Sequence, residues 1–550
     1  MAKNDTKLEL TWFNKDKSLF YDLKEKTYVW VDKKDPRVSE PRIFLEKESY
    51  EDAKTENILI KGDNLLALKA LLQDYRNKVK LIYIDPPYNT GNAFENYDDG
   101  LEHSIWLTMM RDRLELLKRL LHKDGFICCH IDDSEGDYLK VLLDEVFGRN
   151  NHQATFYVRV RYPSKTLKSD MDYHKEIERV LIYRKSFSAK PNLTEKATSL
   201  EKFKYYIEEV EDGKEIKLSG KKVVIFEKGQ YKIKKGEGSE DGLKEIWASG
   251  TILDGNSSGR FFRDYLTGRY EDDGYGVMYK VYGIGDDKFD YRYFTGPKRV
   301  GATKGKYYQG VPLSTLEDLN GTKKLPIENF YDLAANFGNC RHEGGVEFRS
   351  GKKPEKLLEI IVRHFSNEGD LVLDSFAGSG TSGAVAHKMG RRWIMVEFGP
   401  QANTHIIPRL KNVISGKDKT GITKEVGWKS GGGFKYFELG ESLFVNDQDL
   451  RLTVLNPKMF NGPLIRAVLK VEGFKLLHPD NGLHGIAGKT IAHVTEQYVT
   501  QDYVKVLENE VGKQADYIVI YAKTISKNLK LPDNIEVKRI PDVLLRKFKV

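Results

Sequence analysis

Residues 371–381 read Leu371-Val372-Leu373-Asp374-Ser375-Phe376-Ala377-Gly378-Ser379-Gly380-Thr381. An apolar strand ends in an acid, two glycines turn the chain sharply, and a helix runs from Ser382 to Met389. Glycine lets the backbone approach a ligand closely, and a helix N-terminus offers N–H groups to a carboxylate or phosphate. Glu397 closes the next strand, Trp393 to Glu397, where a carboxylate can take both hydroxyls of a ribose. Gly378, Gly380 and Gly383 also satisfy the G-x-G-x-x-G spacing, so this stretch alone leaves a nicotinamide-dependent oxidoreductase open.

A second strand, Val79 to Ile84, ends in Asp85-Pro86-Pro87-Tyr88. Ligands of an open parallel sheet bind at strand C-terminal ends, and two prolines stiffen the turn. The Asp85 carboxylate, the Pro86 carbonyl and the Tyr88 ring can then be held in fixed relation. Two acceptors and an aromatic face suit an exocyclic amine on a flat heterocycle. The plainer alternative is a Pro-Pro turn with a capping aspartate.

Outward from these stretches, strands alternate with helices. Ile58–Ile60 leads through Lys61-Gly62-Asp63-Asn64 into a helix over Leu65–Leu72, and an amphipathic helix spans Ile105–Leu121. Gly125–Ile131 and Val180–Tyr183 read as strands, and Pro354–Phe365 as a helix. The pattern predicts a parallel α/β sheet buried on both faces. Between 186 and 345 glycine, tyrosine and short alternating segments dominate, which predicts an inserted β-rich module. The stretch ending in Gly431-Gly432-Gly433 reads as a linker. The expected division is an N-terminal extension over 1–55, a first sheet half over 56–185, the inserted module over 186–345, a second sheet half over 346–415, and a linker with a small α/β domain over 416–550.

Composition bounds the rest. The chain has 550 residues, 40% hydrophobic and 31% charged, with a net charge of +8. This is ordinary for a globular protein and permits a polyanionic partner. Three cysteines, two of them the adjacent Cys128 and Cys129, exclude a disulfide framework and a four-cysteine zinc site. The histidines show no metal spacing, so no metal is expected. No apolar run long enough to span a bilayer occurs and residues 1–5 begin no signal core, so the expected location is cytoplasmic, with no membrane partner.

Read together, Asp85-Pro86-Pro87-Tyr88 and Phe376-Ala377-Gly378-Ser379-Gly380 resemble the catalytic and cofactor motifs of DNA amino-methyltransferases that use S-adenosyl-L-methionine. The catalytic motif comes first here, with the β-rich module between, which is the β-class order. Gly62-Asp63-Asn64-Leu65-Leu66, Trp106-Leu107-Thr108-Met109-Met110, Arg292-Tyr293-Phe294-Thr295-Gly296-Pro297 and Gly431 to Leu439 further resemble modification (Mod) subunits of type III restriction–modification systems. The resemblance implies a circularly permuted class I methyltransferase (Rossmann-like) sheet with an inserted target-recognition domain and a small C-terminal α/β region. It implies transfer of a methyl group to adenine N6 of a flipped-out base in double-stranded DNA, a homodimer, and a helicase–nuclease restriction subunit as partner. Asp85, Pro86, Pro87 and Tyr88 would be catalytic. Asp374, Phe376, Gly378, Gly380 and Thr381 would hold the methionine moiety, Glu397 the ribose, Asp63 the cofactor's adenine amine, and Lys353 would flank the methionine carboxylate. Cytosine-N4 methylation, an oxidoreductase and a non-catalytic DNA-binding subunit are the alternatives.

From Tyr291 to Gly310 cations and aromatics interleave with no acid. Cations for phosphates among aromatics for bases predict a DNA surface built on Arg292, Lys298, Arg299, Lys304, Lys306 and Tyr307. Arg159 to Lys168 is a weaker second basic segment. Gly485-Ile486-Ala487-Gly488-Lys489-Thr490 imitates a P-loop, but the position five before Gly488 is Leu483 and Gly482 stands one place too early, so no ATPase is assigned. Pro532-Asp533 with Glu536 and Lys538 imitates a nuclease signature and reads as a surface turn.

Overall fold

The computed structural model describes residues 9–22, 25–40, 42–89, 102–163, 173–197, 199–248, 257–302, 304–316, 322–442, 444–447, 452–455, 463–477 and 483–540. It divides into two compact units, Met1–Asn192 with Glu328–Val550, and Leu193–Ile327. The first is built on a ten-stranded sheet. In spatial order its strands are Phe330–Asp332, His152–Arg159, Ile177–Arg184, Leu121–Ile131, Val79–Ile84, Leu371–Asp374, Arg392–Glu397, Ile58–Lys61, Phe434–Leu439 and Phe44–Tyr50.

From Leu121–Ile131 to Phe434–Leu439 all neighbours pair in parallel. These strands read as continuous apolar runs because helices cover both faces, and Leu371–Asp374 is buried at every position. The chain supplies Ile58–Lys61, Val79–Ile84 and Leu121–Ile131 first, yet Leu371–Asp374 and Arg392–Glu397, more than 200 residues later, insert between the first two. That strand order is the circular permutation expected from the motif order. Ile177–Arg184 departs from the expected parallel pattern. It runs antiparallel to both its neighbours, because no crossover helix separates it from His152–Arg159.

Other expectations are corrected. The first 55 residues are part of the sheet unit: Phe44–Tyr50 forms its edge, Leu19 and Val31 reach the main core, and Trp12 Nε1 donates to Thr108 Oγ1 at 2.7 Å. Only one face of these strands is buried, which thins the apolar pattern. The stretch read as a linker is packed, with Ile422 buried, Trp428 Nε1 donating to the Val413 carbonyl, and Asp418 paired with Lys388. Residues 328–345 leave the β-rich region: Phe330–Asp332 joins the main sheet and Ala334–Asn339 is helical.

The second unit carries a six-stranded antiparallel sheet in the order Lys214–Leu218, Lys221–Phe226, Met278–Tyr282, Tyr291–Thr295, Lys306–Gln309, Lys244–Trp247. One face buries Tyr279, Phe294 and Tyr307, the other Met278, Tyr293 and Tyr308. Within the first unit, the C-terminal residues form a five-stranded sheet around Thr490–Val499 and Tyr517–Ile525. Gly488 sits at φ 61° in the turn between strands Gly485–Ala487 and Thr490–Val499, so no helix follows the P-loop imitation. Among the described residues no helix is long and apolar enough to cross a membrane.

Beneath the Gly378 turn lies a fully buried charge network. Lys388 Nζ contacts Glu355 Oε2 at 2.7 Å and also pairs with Asp418, while Arg409 contacts Glu355 Oε1 at 2.8 Å. Two cations balance two anions, so removing one partner strands a charge in the interior. Lys388→Met is expected to destabilise the chain by about 3–5 kcal/mol, read from the shift in denaturant midpoint.

Candidate active site

Parallel pairing of Val79–Ile84 with Leu371–Asp374, with Leu81 opposite Val372 and Ile82 opposite Leu373, brings Asp85 and Asp374 out at the same sheet edge. Around Asp85 the structure assembles a compact polar cluster. Lys353 Nζ stands 3.0 Å from Asp85 Oδ2 and 3.8 Å from Glu178 Oε2. Tyr88 donates its hydroxyl to Glu178 Oε2 at 3.1 Å, and His130 Nε2 lies 2.9 Å from the same oxygen. The Tyr83 hydroxyl and His130 Nδ1 are 3.0 Å apart. Asp85 Oδ1 is buried and, among the described residues, makes no hydrogen bond of good geometry, with His130 Nδ1 4.0 Å away. Trp106 Nε1 donates to the Pro87 carbonyl at 2.8 Å, anchoring the Pro-Pro turn to the helix His103–Leu120.

Electrostatics follow from this packing. Burial works to raise the Glu178 carboxyl, but Lys353, His130 and Tyr88 outweigh it and hold it at about 2. Burial works to lower the Lys353 ammonium, and Asp85 and Glu178 reverse this, so it is raised. Burial pushes the Tyr83 and Tyr88 phenols well up, and neighbouring acids add to it. Glu178 and His130 escaped the sequence reading. Glu178 lies in the strand Ile177–Arg184 and His130 follows two apolar cysteines, and nothing in their local pattern marks them.

The glycine turn is held from several directions. Gly378 and Gly380 adopt φ of 52° and 75°, which L side chains rarely enter. Asp374 Oδ1 accepts from Phe376 N at 2.9 Å and Oδ2 from Ser382 Oγ at 2.6 Å, so this acid ties strand, turn and helix together. Glu397 Oε2 accepts from Gly378 N at 2.7 Å and Oε1 from Gly399 N at 2.8 Å. Asn64 Nδ2 donates to the Ser375 carbonyl at 2.7 Å, which joins the Asp63–Asn64 loop to the turn. Phe376 is half-buried against the main core.

Three expected cofactor residues are re-placed. Asp63 Oδ1 caps the helix Asn64–Tyr75, accepting from Leu65 N at 2.7 Å and Leu66 N at 3.3 Å. The buried Thr381 hydroxyl donates to the Lys353 carbonyl at 3.1 Å and accepts from Arg409 Nη1 at 2.7 Å, so it braces the turn from behind. Lys353 lies beside the turn by its backbone, but its ammonium goes to Asp85. Asp85, Pro86, Pro87, Tyr88, Asp374, Phe376, Gly378, Gly380 and Glu397 share one sheet edge. Thr90 and Gly91, which follow the tetrapeptide, lie outside the described residues.

In the second unit the expected DNA set divides. Arg292 is 2% exposed and committed to Asp286 and Asp287, and Tyr307 is core. Both are removed from the surface because the two faces of this sheet are covered, so residues of its inner strands are buried whichever face they take. Lys298, Arg299 and Lys304 are exposed, and Lys306 contacts Glu245 Oε2 at 2.7 Å. The basic run beginning at Arg159 is described only to Pro163. Among the described residues no group of side chains could hold a metal ion.

Residues 79–407 match the family model N6_N4_Mtase, a DNA methylase. The chain belongs to the DNA methylase family. The chain is 34% identical over 437 residues to the probable type III restriction-modification enzyme HindVI Mod subunit of Haemophilus influenzae, covering 72% of this chain and 55% of that one. It is 28% identical over 432 residues to the EcoPI Mod subunit of Escherichia phage P1, covering 69% and 60%. The chain thus spans somewhat over half the length of these relatives. Among solved structures, the PvuII DNA methyltransferase (cytosine-N4-specific) aligns at TM-score 0.31 and 15% identity, covering 68% of this chain and 91% of that chain. Family membership displaces the oxidoreductase reading of the glycine turn.

Asp374 gives the site a pH signature. Burial pushes its carboxyl up to about 7 against the downward pull of Ser382 and the Phe376 N–H, with Asp85 and Glu397 adding to the rise. A folded-state value above the unfolded one means the stabilisation is complete below the ordinary aspartate range and is lost as pH rises through 7. Asp374→Asn is expected to remove this slope. Between about pH 4 and pH 7 the parent should lose stability relative to the variant, by at most about 1.4 kcal/mol per pH unit, with the difference levelling off above 7, in paired denaturant titrations.

Proposed function

We propose that this chain methylates adenine N6 in double-stranded DNA with S-adenosyl-L-methionine, as the site-specific modification subunit of a type III restriction–modification system acting in the cytoplasm. The observation that carries the reading is Asp85 at a strand end adjoining the Gly378 turn, with its buried Oδ1 left without a hydrogen bond among the described residues. A buried acceptor left unsatisfied costs stability, and a donor supplied by a ligand recovers it. Aspartate in the first tetrapeptide position favours adenine over cytosine by the family resemblance. A homodimer and a helicase–nuclease partner are part of the same proposal.

The turn suits the cofactor. Gly380 caps the helix Thr381–Lys388 without a side chain, a Cβ on Gly380 would come within 2.9 Å of Ile406, and Glu397 stands at the next strand end. Gly378, Gly380, Phe376 and Glu397 would hold the group, with Asp374 shaping the turn. When bound, it supplies a methyl group activated on a sulfonium.

The adenine amine is a poor nucleophile because its lone pair is delocalised into the ring. Asp85 Oδ1 and the Pro86 carbonyl accept its two N–H groups and localise that pair, so acceleration comes from positioning and electrostatics without a covalent enzyme intermediate. Asp85 is the nearest acceptor for the proton released. The target base flips out of the duplex at a cost of a few kcal/mol, and the Tyr88 ring, pinned through its hydroxyl to Glu178, offers a replacement stacking face.

The unit Leu193–Ile327 is assigned to target recognition, with Lys298, Arg299 and Lys304 on phosphates. At the end of its edge strand Trp247 is 60% exposed, and Lys306 Nζ lies 4.8 Å from its ring centroid, an indole and cation placed as a base-stacking element requires.

Two measurements test this reading. Asp85→Ala is expected to abolish transfer of labelled methyl to DNA while cofactor binding survives, and the parent product should be N6-methyladenine by nucleoside mass analysis. N4-methylcytosine, or DNA binding without transfer, would contradict it. Trp247→Ala should weaken DNA binding by roughly 1–3 kcal/mol in a salt-controlled titration.

A further inference from the structure

Lys353 stands where the two motifs meet. Its carbonyl accepts the Thr381 hydroxyl at the glycine turn, and its ammonium reaches Asp85 Oδ2. The two oxygens of a free carboxylate are equivalent, and an amine could engage either. Here they are not: Oδ2 faces an ammonium at 3.0 Å, while Oδ1 is buried and makes no hydrogen bond among the described residues, its nearest cationic neighbour being His130 Nδ1 at 4.0 Å. The ammonium is itself held. Glu178 Oε2 lies 3.8 Å from it, and Glu178 also receives the Tyr88 hydroxyl, so one acid secures both the lysine and the ring. Lys353 Nζ is 4.7 Å from the Tyr88 ring centroid, which completes the contact between cation and aromatic.

We propose that Lys353, anchored by Glu178, is a positioning residue that engages Oδ2 of Asp85 and thereby presents Oδ1 to an N–H of the target amine. The proposal rests on the methyl-transfer reading and differs from the sequence expectation that Lys353 serves the cofactor's carboxylate. The titratable groups facing the ammonium are Asp85, Glu178 and Cys340, with Tyr88 against it, while His130, Tyr83 and Asp374 lie around the two acids. Asp85 and Glu178 keep the ammonium charged, so the clamp persists across the working pH range.

The experiment uses the full chain, unmethylated DNA and S-adenosyl-L-methionine. Lys353→Met should leave the cofactor Kd within about threefold by calorimetry and lower kcat by roughly 100-fold. Lys353→Arg should restore part of the loss. Glu178→Gln, which preserves shape, should reproduce the fall in kcat with cofactor binding intact. Cofactor binding lost in Lys353→Met with kcat preserved at saturating cofactor would overturn the proposal and make Lys353 a cofactor ligand. An unchanged kcat in both Lys353→Met and Glu178→Gln would also overturn it. If the parent chain itself transfers no methyl group, the methylase reading fails first and this inference falls with it.

Discussion

The pairing of Val79–Ile84 with Leu371–Asp374 is the constraint on which the site depends. The two strands are separated by almost three hundred residues, yet they run in parallel as neighbours, so their C-terminal ends open on one edge. Closing so long a loop costs entropy only slowly with length, and the inserted unit shortens the effective span by folding on its own strands. Once the register is set, Asp85 and the glycine turn cannot separate without breaking a sheet buried on both faces. A slip of one residue would turn every side chain to the opposite face.

Polar interactions then specify what the sheet places. Above the edge, Asp85, Lys353, Glu178 and Tyr88 form a network in which, among the described residues, one Asp85 oxygen makes no hydrogen bond. Below it, Glu355, Lys388, Asp418 and Arg409 neutralise one another out of water, and Arg409 reaches the Thr381 hydroxyl behind the turn. Buried pairs of this kind add little net stability, because desolvation offsets their attraction. They do fix geometry, since any displacement strands a charge, and a methyl-transfer site needs its acceptor and its cofactor turn held in register.

Much of this was legible in the sequence, for identifiable reasons. Contiguous motifs at strand ends carry their own geometry, so Asp85-Pro86-Pro87-Tyr88 and the Phe376-to-Gly380 turn could be read locally, and apolar runs marked the parallel strands. Glu178 and His130 could not be read, because their part in the site depends on an antiparallel strand inserted between parallel ones. Arg292 and Tyr307 misled because a run of cations and aromatics does not reveal which face each residue takes. Their strands place them in an ion pair and a core. Lys353 lies beside the turn as expected, and its ammonium contacts Asp85, a reach that backbone proximity to the turn does not reveal. Asp63 lay between two roles, and its capping bonds decided for the helix.

The account stands on a single cleft in which the glycine turn and Asp85 serve one reaction. Its most direct test is a crystal structure of the full chain with S-adenosylhomocysteine. The ligand should lie along Phe376 to Gly380 with its ribose at Glu397 and its sulfur facing Asp85 and Tyr88. A ligand seated elsewhere, or one whose sulfur points away from Asp85, would contradict the account.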